Sequence, residues 1–295
     1  MSTRRITGAL MTATLLWSIG VGSVAAARPA RPEPTPPPGV ERPLTSEEQA
    51  ASTAKLLAAL AYVDRQKARG ADTVSLACVT PTSATPGPAG VTANACAIPQ
   101  GFLPVAARDQ VKWYYCGPAA GQVIANYAWA VSTQANKYTQ GKLAEWMQTD
   151  INIATNAYAL QTGLEKGTSG APRRPAGWAW VVSEVRDTNN NNTSADELQA
   201  MVQANVSDAK MPLAISVKPH HPDSNYHLNS WPDPIESGGH WIAAYGWYSY
   251  WTGTDFARIY YTDSSGDEGG STGKFWNSTK SMNALIAEHT KRIVW

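Results

Sequence analysis

The chain has 295 residues, 43% hydrophobic and 16% charged, with 24 Lys and Arg against 23 Asp and Glu. Its 12 Trp and 12 Tyr exclude a uniformly disordered chain. Near-balanced charge without a basic run argues against a nucleic-acid binder, and the length admits one or two globular domains.

Residues 1–27 read as an export signal. Arg4 and Arg5 are followed by an apolar run through Leu10, Leu15, Leu16, Trp17, Ile19 and Val21, closing on Ala25-Ala26-Ala27. A positive start, a short apolar stretch and a small-residue end form the secretory pattern. Interrupting Thr, Ser and Gly residues leave the run short of the ~20 apolar residues that a membrane span needs. The expectation is a secreted, extracellular chain, with no membrane association after signal cleavage.

Cysteine use follows from that compartment. Of Cys78, Cys96 and Cys116, the first two flank a loop of small residues and Pro. A bridge between them is expected, worth roughly 3 kcal/mol of loop entropy. Cys116 is then the unpaired thiol.

Residues 28–44 hold seven prolines and read as a stiff linker. Residues 45–100 read as an N-terminal helical extension with a disulfide loop. Its helix is predicted over 46–69: Thr45 and Glu48 make a capping box, Leu56, Leu60 and Val63 recur at helical spacing, and Gly70 is the expected stop. Residues 101–295 read as a single catalytic domain. Helices are predicted over 117–131, 139–149 and 195–208, and strands over 213–217, 241–250, 256–262 and 292–295. Helices first and strands later is an α+β arrangement.

The segment Gln110-Val-Lys-Trp-Tyr-Tyr-Cys116-Gly-Pro-Ala carries the candidate chemistry. Cys116 precedes a helix, with Pro118 suited to the entry turn. The positive end of a helix dipole and its unpaired N–H groups favour a thiolate. Gln110, six residues upstream, is placed to form an oxyanion hole with the Cys116 backbone N–H. A thiolate mechanism needs a base, and His240 opens a strand after Gly238-Gly239. The next strand ends at Asp263, so a hairpin brings the two together. Asp263 is then expected to accept the Nδ1–H of His240 and to fix the imidazole. Asp255, the rival orienter, falls in the turn.

Each residue also has a plainer reading. Free cysteines are often simply buried. Asp263 before Ser264-Ser265-Gly266 suits a strand-ending turn, and Gln110 suits a solvated loop. The cluster His220, His221, Asp223 and His227 is irregularly spaced and interrupted by prolines, so neither a metal nor a cofactor is expected.

Taken together, Gln110-x5-Cys116-Gly-Pro-Ala, Gly-His240-Trp-Ile and Tyr-Tyr-Thr-Asp263 resemble the papain-like cysteine peptidases related to those that cleave double-glycine leader peptides, a wider group with secreted bacterial members. The resemblance spans roughly 101–295; residues 151–193 lie outside it. It implies a papain-like α+β fold, with Cys on a central helix and His and Asp on an antiparallel sheet. It also implies Gln110 as the oxyanion residue and a peptide or protein as substrate. Two alternatives share these residues. One is a thiol acyltransferase or amidase acting on cell-wall peptides; the other is a catalytically silent binding module using the Trp-rich 231–251 stretch.

Overall fold

A computed structural model describes residues 41–73, 100–185, 192–232, 238–249, 257–265 and 270–295. The signal 1–27, most of the Pro-rich segment, Cys78, Cys96 and Asp255 lie outside the described residues.

The first element, α1 (Ser46–Thr73), opens on the expected capping box. The Thr45 N–H donates to Glu48 Oε2 at 2.8 Å and the Glu48 N–H donates to Thr45 Oγ1 at 3.2 Å. Gly70 does not stop it: the helix runs to Thr73. One glycine costs a helix about 1 kcal/mol, too little to end one that already has a packed face.

A short strand β1 (Gln100–Phe102) leads to α2 (Cys116–Ala128), α3 (Gln140–Met147) and α4 (Ala157–Thr168). Then come β2 (Val182–Glu184), α5 (Asn192–Gln203), a π turn (Ala204–Asp208) and β3 (Leu213–Val217). The chain finishes with β4 (His240–Tyr248), β5 (Arg258–Asp263), β6 (Gly273–Ser278), α6 (Thr279–Ala287) and β7 (Arg292–Val294).

Among the described residues the sheet has seven strands in the order β2-β7-β3-β4-β5-β6, with β1 also paired to β4. Every pairing is antiparallel. The chain is therefore α+β, with a Cys-bearing helix packed on an antiparallel sheet that carries His and Asp. β3 and the first half of β4 are buried on both faces, which explains their continuous apolar runs.

Helix α2 is buried along its whole length and packs against α3, α4 and β4. Its neighbours approach so closely that side chains are excluded. A Cβ on Gly121 would lie 2.6 Å from Met147 Cε, and one on Gly163 would lie 2.4 Å from Met147 Cγ. The helix ends three residues earlier than expected because the chain turns at Ala130, where φ is 53°.

Helix α1 joins the same core. It packs on α5, the π turn and β2, with Leu56, Ala59 and Val63 buried. Leu57 faces solvent. Ser52 donates to Ser183 Oγ at 2.8 Å, and Ser183 also accepts the indole N–H of the buried Trp295 at 2.6 Å. Lys55 crosses the same seam. It donates to the carbonyls of Ala179, at 3.1 Å, and Trp295, and its ammonium lies 4.3 Å over the ring of Trp178. Burial among these groups lowers its pKa to about 7. β1 straddles the expected boundary at residue 101, pairing Gln100 with Tyr248 and Phe102 with Gly246.

Candidate active site

Cys116 is the first residue of α2, and the preceding Tyr115 supplies no capping side chain. Pro118 has no N–H to satisfy, so the helix start leaves main-chain donors unanswered by its own cap. Gly117 is forced small: a Cβ there would lie 2.5 Å from Thr155 Oγ1. Thr155 is itself fixed, since its carbonyl accepts the indole N–H of Trp241 at 2.7 Å. The start of α2 is thus wedged against Thr155, which is tied to the strand residue that follows His240. Cys116 is a buried free thiol.

The β4–β5 ladder runs from Tyr248↔Arg258 to Ala243↔Thr262, with a bulge between Ala244 and Gly246. Continued one step, this register sets Asp263 opposite Ile242. That puts it on the same face as His240, two positions along. Diagonal neighbours on one sheet face are within reach of long side chains. His240 Nε2 donates to Asp263 Oδ1 at 2.9 Å. This corrects the expected Nδ1 contact. A ring reaching across a diagonal presents its distal nitrogen and leaves Nδ1 free of the carboxylate, while the Cys116 side chain is near enough to favour the charged ring.

The electrostatics follow from that placement. Burial disfavours a charged imidazole, but the Asp263 carboxylate, its hydrogen bond and the Cys116 side chain outweigh burial. His240 is pushed up to about 10. Burial alone would raise Asp263, yet the facing imidazolium and several hydrogen bonds hold it below the usual carboxylate range.

Those hydrogen bonds come from residues that the sequence did not connect with Asp263 as supports for its charge. Ser230 Oγ donates to Asp263 Oδ2 at 2.6 Å, and the Trp231 indole N–H donates to the same oxygen at 3.0 Å. The Ser265 N–H and hydroxyl donate to Oδ1 at 3.0 and 2.7 Å. The ring of Trp231 also meets His240 edge to face, at 5.5 Å between centroids. The only local signal was Ser265, read as a turn residue. Here the turn and the carboxylate's support are the same contact. Ser230 and Trp231 reach Asp263 from over thirty residues away in sequence, and no spacing rule points to them.

Gln110 lies beside this cluster. Its backbone N–H donates to the Ser264 carbonyl at 2.9 Å, and its side-chain oxygen accepts from Ser264 Oγ at 3.4 Å. Its amide nitrogen donates to the Trp113 carbonyl at 2.9 Å. Gln110 is buried, unlike the solvated loop residue of its plainer reading.

A second histidine borders the site. A Cβ on Gly239 would fall 1.6 Å from Nε2 of His289, so the residue before His240 must lack one. Burial, with the positive charges of His240 and Lys218, lowers His289 to about 4. His289 is therefore a neutral neighbour at physiological pH.

The His220–His227 cluster is otherwise engaged. His220 and His227 stack at 5.5 Å, while His221 bonds Glu288 at 3.2 Å and accepts the Asp223 N–H at 3.1 Å. Among the described residues no group of three or more His, Cys, Asp or Glu is arranged to hold a metal ion. No described helix is long and apolar enough to cross a membrane.

No protein-family model matches the chain, and no curated protein sequence matches it. Among solved structures it is similar to the Amb a 11 cysteine protease, a major ragweed pollen allergen, in its proform. That similarity covers 69% of this chain and 67% of the other at 12% identity and a TM-score of 0.40. It is also similar to xylellain, a cysteine protease from Xylella fastidiosa, over 67% of this chain and 84% of the other, at 15% identity and a TM-score of 0.39.

Proposed function

We propose that the protein is a papain-like cysteine hydrolase that cleaves peptide bonds in peptide or protein substrates, exported by its first 27 residues. One observation carries this reading: a buried imidazole held between a carboxylate on Nε2 and a free thiol at a helix start. A structural cysteine needs neither the charged ring nor the multiply bonded carboxylate behind it.

In this reading Cys116 and His240 form a thiolate–imidazolium pair. The thiolate sulfur attacks the substrate carbonyl carbon. The resulting oxyanion accepts from the Cys116 backbone N–H and from the second amide N–H of Gln110, whose first is committed to Trp113. His240 gives its Nδ1 proton to the leaving amine, and the C–N bond breaks to leave a thioester. A water then attacks the thioester while Nδ1 takes its proton, releasing the acid and restoring the pair. Asp263 keeps the ring oriented throughout, favours the charged ring whenever Nδ1 carries its proton, and is not itself protonated.

The test is mass spectrometry of a peptide library incubated with wild type and with Cys116→Ala. Peptides cut by wild type and left whole by the variant support the reading. Cleavage that survives Cys116→Ala, or iodoacetamide labelling of Cys116 no faster than that of a free peptide thiol, overturns it. Joined products in place of hydrolysed ones would assign acyl transfer instead.

A further inference from the structure

The loop that delivers Cys116 carries a surface that the chemistry does not use. Val111 is 68% exposed and Trp113 58%, two neighbouring large apolar side chains open to solvent on one short loop. Exposed apolar residues usually sit on loose segments, whereas this loop is pinned throughout. The Gln110 N–H is bonded to the Ser264 carbonyl, the Val111 N–H to Gln140 Oε1 at 2.9 Å, and the Tyr115 N–H to the Lys112 carbonyl at 2.9 Å. The Trp113 carbonyl is held by the Gln110 amide, the proposed oxyanion donor.

The aromatic rings beside Trp113 are already occupied. Tyr115 is buried and meets Tyr114 edge to face at 4.9 Å. The Lys112 ammonium lies 5.0 Å over the Tyr115 ring and 5.6 Å over the Tyr114 ring. Tyr114 in turn meets Trp113 edge to face at 5.4 Å, which braces the indole from one side and leaves its remaining surface to solvent. A rigid, half-open indole three residues from a nucleophile offers large contact area at little entropic cost, the character of a binding anchor.

We infer that Trp113, flanked by Val111, is a specificity platform that takes a large apolar or aromatic side chain of the substrate next to the bond being cut. This rests on the peptidase reading for its occupant. The substrate chain must pass this loop to place its carbonyl against Gln110 and the Cys116 N–H, so the platform and the oxyanion donors serve one bound segment.

The experiment uses the full chain with Cys116→Ala, which holds peptide uncut, and an equimolar library of blocked dodecapeptides as probe. Retained peptides are sequenced by mass spectrometry. Phe, Tyr, Trp and Leu should be enriched at least fivefold at one position. Adding Trp113→Ala should abolish that enrichment, and adding Trp113→Phe should keep it. Trp113→Gln, a polar replacement on the exposed ring's site, gives the same readout if the alanine variant folds poorly. No enrichment, or enrichment indifferent to Trp113, overturns the inference. Wild-type cleavage of the same library separates the two ideas. Trp113-dependent retention without cleavage sinks the peptidase reading and leaves the platform standing. Cleavage whose preference ignores Trp113 does the reverse.

Discussion

Asp263 Oδ1 accepts from the distal nitrogen of His240 at 2.9 Å, because the two residues are diagonal neighbours across β4 and β5. A directly opposite pair would leave the ring less room to turn its other nitrogen toward Cys116. The diagonal offset therefore commits Nε2 to the carboxylate and leaves Nδ1 as the nitrogen for proton transfer in the proposed reaction.

Replacing Asp263 with Asn keeps the shape and removes the charge. His240 loses its main electrostatic support while its burial remains, so its pKa falls from about 10. The expected drop in kcat/KM is about 10²- to 10⁴-fold, from the loss of orientation and of the charged form. Peptide hydrolysis measured at pH 7 checks it. A variant within threefold of wild type would remove Asp263 from the mechanism.

The same pair sets a pH signature. His240 is raised from 6.5 to about 10, so its stabilisation is full below about 6.5 and is lost as pH rises through about 10. Asp263 is depressed from 3.8, so its contribution is present above that value and fades as pH falls through its folded one. The difference in Tm between wild type and Asp263→Asn should be widest between about pH 4 and 6.5 and should close toward pH 10 and above. A difference that stays constant across the alkaline range would show that His240 is not held charged.

Trp231→Phe separates ring from donor. The edge contact with His240 is largely kept, and one hydrogen bond to a buried carboxylate is lost. Hydrogen bonds to charged groups are worth about 1.5–3 kcal/mol, so thermal melts should report a loss in that range. kcat should fall while KM stays nearly unchanged, because Trp231 acts through Asp263. A KM effect alone would place Trp231 on the substrate instead.

Gly239→Ala should damage the site through His289, whose ring occupies the space that the new methyl group needs. A loss of about 1–3 kcal/mol is expected from such overpacking, together with reduced hydrolysis as His240 shifts. The double variant with His289→Ala should recover much of both. A purely additive double-variant cycle would show that the clash is not the cause.

Helix α1 should behave as part of the fold. Leu56→Ala removes buried volume from the shared core and should cost about 2–5 kcal/mol. A chain starting at residue 101 should melt lower than the full chain, with Cys116 alkylated no faster. Faster alkylation with an unchanged Tm would identify 45–100 as a removable mask.

The residues that meet at the site were legible because each carries local grammar. Cys116 has Gly-Pro after it, His240 has a strand after it, and Asp263 has a serine turn. What was not legible depends on packing. Helix α4 is poor in helix formers at Gly163 and Gly167, yet the missing side chain at Gly163 is what admits Met147. Strand β6 alternates exposed and half-buried residues up to Asn277, and Ser278 then caps α6 by accepting the Ser281 N–H at 3.1 Å. Strand β6 has no apolar alternation of its own and is held by its pairing with β5, while α4 is held by its packing on α2 and α3.

The bond from the Gln110 N–H to the Ser264 carbonyl joins the loop before Cys116 to the residue after Asp263 by main chain alone. At Gln110 only proline removes the donor, so the spacing between the loop and the Asp263 end of β5 is insulated from much of sequence drift. Amide hydrogen exchange at this one position would act as a gauge of how often the two walls breathe apart.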